Sequence, residues 1–427
     1  MIATMVRTIP AAALLPAFLL AALLPAKRRL LVWGSTPLVS NKYWSEAMAR
    51  AGFDSMTIME GFYAIHKRSD YDRYFVDFAP AWLPNGARVV IGTALALVFV
   101  LRRARVLHLS YDGFALRRTA LWRLEALLLK LAGIKTIVMP YGADAYVYSR
   151  LIDTSLRHGL LASYPDLARR EADVVRRLDY WNRHADVVIA GSMVDGNGRW
   201  DILMNQIFCI DTAAWTSKPN YSTHDGRSGS VKILHTPNHR GFKGTEFLFA
   251  AVERLRAEGL QVELLCLERT PNEEVRRLMQ QVDLLAEQFI FTGYGFNGIE
   301  GMASGLPVLA NLDHEAYTRV FRRFAFLDEC PILSTPPERL VENLRVLVTQ
   351  PRLREQLGRA GRSYVEKYHG DAMAQYLFGS IYRRFDGEDV NLMTLFHPLT
   401  STYNRSMPRV VHPLVDNRIV SGGASPT

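Results

Sequence analysis

The stretch from Thr292 to Leu312, TGYGFNGIEGMASGLPVLANL, concentrates residue types that handle phosphates and sugar hydroxyls. Gly293-Tyr-Gly295 is a glycine-rich turn after the apolar run Gln288–Phe291, and Asn297 is the expected N-cap of a helix. Gly305-Leu-Pro307 ends that helix, and Val308-Leu-Ala310 reads as a short buried strand. A glycine turn that runs into a helix N-terminus exposes N–H groups and the positive end of the helix dipole, which suits a phosphate. Glu300, one turn into the helix, can accept hydrogen bonds from a ribose diol lying over that terminus. An ordinary strand–turn–helix of another doubly wound domain shares the local pattern.

The longer run is more specific. Glu300–Val308, E-G-M-A-S-G-L-P-V, resembles the donor-site signature E-A-M-A-x-G-x-P-V of GT-B glycosyltransferases of the family-four type, the glycosyl transferases group 1. Glu287-Gln288 and Gly293-Tyr-Gly295 are similar to the D-Q and G-W-Y-G forms of one branch of that family. The resemblance implies an α/β fold, GT-B, with two Rossmann-like domains facing each other across a cleft. It implies transfer of a sugar from a nucleotide donor with retention of configuration. It also implies roles for particular residues. Lys243-Gly244 matches the family's donor-diphosphate cation, and Arg240 is the companion, set closer to Lys243 than the usual interval, where Asn238 stands. Gly293, Gly295, Asn297 and Gly298 would add backbone N–H groups to the same phosphates. A departing diphosphate gains negative charge as the glycosidic bond breaks, and fixed cations stabilise it. Thr292 stands where many relatives carry an earlier Glu that contacts the transferred sugar, so the donor sugar stays open; the G-W-Y-G branch shares that lack.

The first half carries further candidates. Pro140-Tyr-Gly-Ala-Asp144 follows the expected strand Thr136–Met139 and resembles a G-S-D turn of some relatives. A carboxylate at the C-terminal end of a parallel strand points into the ligand crevice. Asp144, and Asp112 after the strand Val106–Leu109, are therefore candidate catalytic groups, with turn capping as the alternative for each. Ser35 and Asn41, in the first β-loop-α unit, either touch the acceptor or only shape the turn and cap the helix. His108, inside its strand, reads as a core histidine.

Length and charge narrow the partners. A chain of 427 residues accommodates two domains of ordinary size. The net charge of +9 favours anionic partners such as nucleotide diphosphates or acidic lipid surfaces. The Arg pairs are scattered and no nucleic-acid motif occurs, so nucleic acid is not expected as a partner. Cys209, Cys266 and Cys330 form no metal or disulfide pattern, which suits a reducing compartment. No dedicated Asp-x-Asp metal site is evident, so neither a metal nor another cofactor is expected.

In chain order, 1–27 is an apolar segment and a candidate membrane anchor; a peripheral extension weakened by Pro10 and Pro16 is the alternative. Lys27-Arg-Arg29 would keep the main body on the cytoplasmic side, at the inner face of the membrane. Residues 28–216 form the expected acceptor domain, 217–230 a linker, and 231–370 the nucleotide-sugar domain. Residues 371–385 are a crossover helix and 386–427 a tail, flexible from Ser401. Arg88–Leu101 is expected as a buried helix, and 53–85 as an acceptor-side loop with a short helix. The acceptor is expected to be a glycan or lipid-linked, in cell-envelope or polysaccharide synthesis. The alternatives are a non-catalytic sugar-nucleotide-binding subunit and a GT-B-fold epimerase.

Overall fold

A computed structural model describes residues 2–63, 67–191, 194–268 and 270–414. The chain divides into two units, and neither is one continuous stretch. The first comprises Met1–Val147, Arg170–Ile202 and Leu377–Leu392; the second comprises Tyr148–Arg169, Leu203–Tyr376 and Met393–Thr427.

The sheet of the first unit is built from β1 (Leu30–Ser35), β2 (Ser55–Met59), β3 (Arg73–Tyr74), β4 (Ala104–Leu109), β5 (Lys135–Val138), β6 (Val187–Ala190) and β7 (Ile202–Leu203). Its order is β3-β2-β1-β4-β5-β6-β7, and the pairs from β3 to β6 are parallel. Strands covered on both faces read as continuous apolar runs, and every residue of the LLVWGS strand β1 is buried. The chain leaves β1 in both directions, to β2 on one side and β4 on the other. That reversal puts a crevice at the carboxyl ends of β1 and β4. His108 in β4 is a core residue: its ring stacks on Trp33 at 3.5 Å, and its nitrogens meet Val32 O and the Tyr382 hydroxyl. Burial pushes its pKa down to about 3, so it stays neutral. Phe378 closes the same cluster edge-on to Trp33.

The N-terminal segment forms two helices, Ile2–Ala13 and Leu15–Leu23, bent by 50° at the break. Pro16 lies in the first turn of the second helix, where its missing N–H costs nothing, and it prevents one straight helix. Phe18, Ala21 and Ala22 are buried, while Met5, Val6, Ile9, Leu20 and Leu23 are exposed. The pair, and the Asn85–Arg103 helix, are long and apolar enough to cross a membrane. The latter buries Gly92, Ala96, Leu97, Val100 and Leu101 and packs against Leu15–Leu23 and the Phe75–Phe78 turn. Among the described residues of 53–85 there are two short strands and two 3-10 turns rather than a loop with one helix.

The second unit carries β8 (Val231–His235), β9 (Val262–Cys266), β10 (Leu284–Gln288), β11 (Val308–Ala310) and β12 (Leu333–Ser334) in a parallel sheet. The order is β12-β11-β10-β8-β9, so the reversal lies between β8 and β10. Its core packs Ile233, Leu248, Leu284 and Leu309 against Leu344 and Leu357. The segment from Ser401 is not loose as far as it is described. Ser401 caps a helix, Thr402–Ser406, and Tyr403 is buried and stacks on Tyr376 at 4.7 Å. Residues 415–427 lie outside the described residues.

Candidate functional site

The second sheet's reversal brings two loops together. After β8 the chain makes a short helix, Arg240–Lys243, and then Gly244 at φ 74° before the Thr245–Ala257 helix. Only glycine takes that left-handed conformation without penalty, so Gly244 sets where Lys243 points. After β10 the chain turns through Phe289–Tyr294 into the helix Phe296–Ala303. The Lys243 ammonium joins the loops, donating to Gln288 Oε1 at 2.8 Å and meeting Glu287 Oε1 at 3.4 Å. Lys243 is mostly covered, its side chain only 12% exposed.

Asn297 is not the N-cap. Gly295 takes that position, and Asn297 is the second residue of the helix. The reason is Glu287, whose carboxylate accepts the Gly295 N–H at 2.7 Å and fixes the helix start two residues earlier. The Gly295 N–H is therefore occupied, and Gly293 N donates to Asn311 O. Asn297 and Gly298 lie in the first turn, where the helix itself supplies no acceptor for their N–H groups. Asn297 Nδ2 and Glu287 Oε2 are buried without hydrogen-bond partners among the described residues. Glu287 gives no local signal in the sequence beyond its place in Glu287-Gln288, because its pairing with Lys243 spans 44 residues.

Gly298 is required by close approach. A Cβ there would sit 2.4 Å from Glu287 Oε2. Gly298→Ala is expected to lower the unfolding midpoint by a few degrees, an overpacking cost of roughly 1–3 kcal/mol. An unchanged midpoint in a thermal melt would mean the carboxylate steps aside freely.

Glu300 is buried, and its Oε1 accepts from Asn272 Nδ2 at 3.0 Å. Burial raises its pKa to about 8 against the lowering effect of that hydrogen bond, with the Glu287 charge raising it further. Arg240 stands apart from Lys243, exposed and paired with Glu246 and with Glu268 at 3.1 Å. Thr292 donates to Asp153 Oδ2 at 2.6 Å, so a carboxylate from a distant segment reaches the position where the sequence has none.

In the first unit the loops after β4 and β5 meet. Asp144 accepts the Tyr141 N–H at 2.9 Å and the Tyr111 N–H at 3.0 Å. Its carboxylate ties two turns together, and burial followed by the nearby Asp112 charge raises its pKa. Asp112 is the more accessible, 43% exposed, and pairs with Arg117 at 3.4 Å. Ser35 and Asn41 are fully buried. Ser35 Oγ donates to Phe114 O, and Asn41 donates to Thr36 O while accepting from the Tyr141 hydroxyl. Both shape the loop and present no exposed atom to an acceptor. Among the described residues no three His, Cys, Asp or Glu side chains cluster as a metal site would require.

No protein-family model matches this sequence, and no curated protein matches it. Solved structures do. Sucrose-phosphate synthase from Thermosynechococcus elongatus superposes with a TM-score of 0.53 at 14% identity, covering 84% of this chain and 100% of that one. An α-glucosyltransferase in complex with UDP and a 13-mer DNA gives 0.52 at 10% identity, covering 84% and 99%. At such identities the likeness is one of fold: two parallel α/β sheets of seven and five strands, the fold class of the GT-B glycosyltransferases.

Proposed function

We propose that the chain is a retaining glycosyltransferase. It moves a sugar from a nucleoside-diphosphate donor to a glycan or lipid-linked acceptor in cell-envelope or polysaccharide synthesis. The observation that carries this reading is that Lys243 and the Gly295 N–H, at the N-cap of the Phe296–Ala303 helix, converge on one carboxylate oxygen of Glu287 at the reversal of the second sheet. Cation and helix end supply two independent stabilisations for one diphosphate. Glu300, a turn further on, faces the ribose diol.

In the reaction the acceptor hydroxyl oxygen bonds to the anomeric carbon. The bond from that carbon to the diphosphate breaks, and the nucleoside diphosphate leaves with the electron pair. The acceptor proton passes to the departing phosphate oxygen. Lys243 and the Asn297 and Gly298 N–H groups bear the charge that develops there, in the role a divalent ion plays elsewhere. Asp112, the more accessible of the two candidate carboxylates, is assigned to acceptor hydroxyls; Asp144 positions the loop beside it. Arg240 lies outside this set unless it leaves its two carboxylates.

Thermal unfolding against UDP-, GDP-, ADP- and TDP-sugars tests the reading, because a ligand of the folded state raises the midpoint by mass action. One nucleotide is expected to stabilise the wild type. None doing so at saturating concentration would overturn the donor site.

A further inference from the structure

The first unit contains a cavity of about 340 Å³ that none of these roles uses. Its polar end is formed by the loops that follow β1, β2 and β4, at the crevice expected from the strand order. Its walls are apolar, with Phe18 from the second N-terminal helix, Phe75, Val90 and Leu97 from the Asn85–Arg103 helix, and Phe114.

The charge around it is one-sided. Arg7, Arg117 and Arg118 line the cavity against a single lining carboxylate, Glu60. Arg117 and Arg118 share that carboxylate. Arg117 is only 8% exposed; it also donates to Thr36 Oγ1 at 2.9 Å and meets Asp112 at 3.4 Å. Its Nε is buried with no hydrogen-bond partner among the described residues. A buried guanidinium with an unused donor beside an apolar chamber is costly unless an acceptor completes it, and a phosphate oxygen is one that also suits the cations there. Arginine's planar fork matches a phosphate. The lining is mostly apolar, so a bare sugar phosphate would leave most of these walls without an apolar partner.

We propose that this cavity holds the hydrocarbon chain of an amphipathic phosphate ester, with the phosphate on Arg117 and Arg118. The ligand is the lipid end of the acceptor, an assignment that rests on the transferase reading above. The N-terminal helices complete the chamber and are thereby part of the acceptor site rather than an appendage. Their exposed residues Val6, Ile9, Leu20 and Leu23 are apolar, which suits a surface that takes up such a ligand from a lipid phase.

The test uses the full chain and dodecyl phosphate, kept below its micelle-forming concentration, with dodecanol and inorganic phosphate as partial probes. Binding is read by calorimetric titration. Dodecyl phosphate is expected to bind the wild type at least about tenfold more tightly than either partial probe. Val90→Trp, which fills the chamber from a half-buried helix position, is expected to weaken it about tenfold or more. Arg118→Ala, at an exposed position where folding is not at stake, is expected to weaken dodecyl phosphate severalfold and leave dodecanol unchanged. Equal binding to wild type and both variants overturns the proposal. Dodecanol binding as tightly as dodecyl phosphate overturns the phosphate assignment. The nucleotide melts are run on the same samples and separate the two readings. A protein that binds dodecyl phosphate as expected but no nucleotide retains the cavity's ligand class and loses the transferase. One stabilised by nucleotide yet blind to dodecyl phosphate keeps the transferase and loses this site.

Discussion

Lys243→Ala is expected to lower kcat/KM for sugar transfer by about 10²–10³-fold, the loss typical of removing one preorganised charge partner of a transition state. The substitution has a second consequence. Glu287 is buried and keeps only the Gly295 N–H once the ammonium is gone. An unpaired buried carboxylate destabilises by about 3–5 kcal/mol, so lost activity in the single variant mixes two causes. The double variant Lys243→Ala with Glu287→Gln separates them, because the neutral amide removes the stranded charge. It is expected to melt near the wild type and remain as inactive as the single variant. A double variant that transfers sugar at the wild-type rate would exclude Lys243 from the diphosphate. Glu287→Gln alone is expected to tighten nucleotide binding severalfold, since Lys243 no longer divides its charge between carboxylate and phosphate.

Glu300→Gln is expected to gain roughly 4 kcal/mol of stability over the wild type between pH 5, where the two are close, and pH 9. The sign follows from the raised pKa. The folded state holds the Glu300 proton up to about pH 8, whereas an unperturbed carboxyl releases it near 4.5. Across that window the folded state binds more protons than the unfolded state, so wild-type stability falls as pH rises. The amide has no proton to lose and can still accept from Asn272. Urea midpoints of both proteins at pH 5 and pH 9 check this, and a gap that does not widen with pH would refute it. At neutral pH the protonated carboxyl can donate to one ribose hydroxyl and accept from the other. Glu300→Ala is therefore expected to weaken nucleotide binding about tenfold, while Glu300→Gln retains most of it.

Legibility in the sequence followed the distance over which each feature is assembled. The glycine turn, the helix behind it and the strand at Val308 were readable because each is set by neighbours a few residues away. The helix Asp371–Phe385 was readable to its ends for the same reason. The N-cap was misplaced by two residues because the deciding partner, Glu287, reaches it from the preceding strand. Ser35 and Asn41 carry polar side chains that suit a ligand, and only the fold reveals that Phe114, Thr36 and Tyr141 use them. The apolar chamber left no sequence signal at all. Its lining comes from several separated segments, and its residues read individually as ordinary core.

The division of the chain bears on how the protein is made. The first unit's core is closed by Phe378 and Tyr382, which pack on Trp33 and His108. Those residues leave the ribosome only after the whole sheet of the second unit has been synthesised. The first unit cannot close its central aromatic cluster until the helix Asp371–Phe385, which follows that sheet in the chain, has been made. A truncation that removes Phe378 and Tyr382 thus takes away more than a late segment: it leaves the first unit without its keystone.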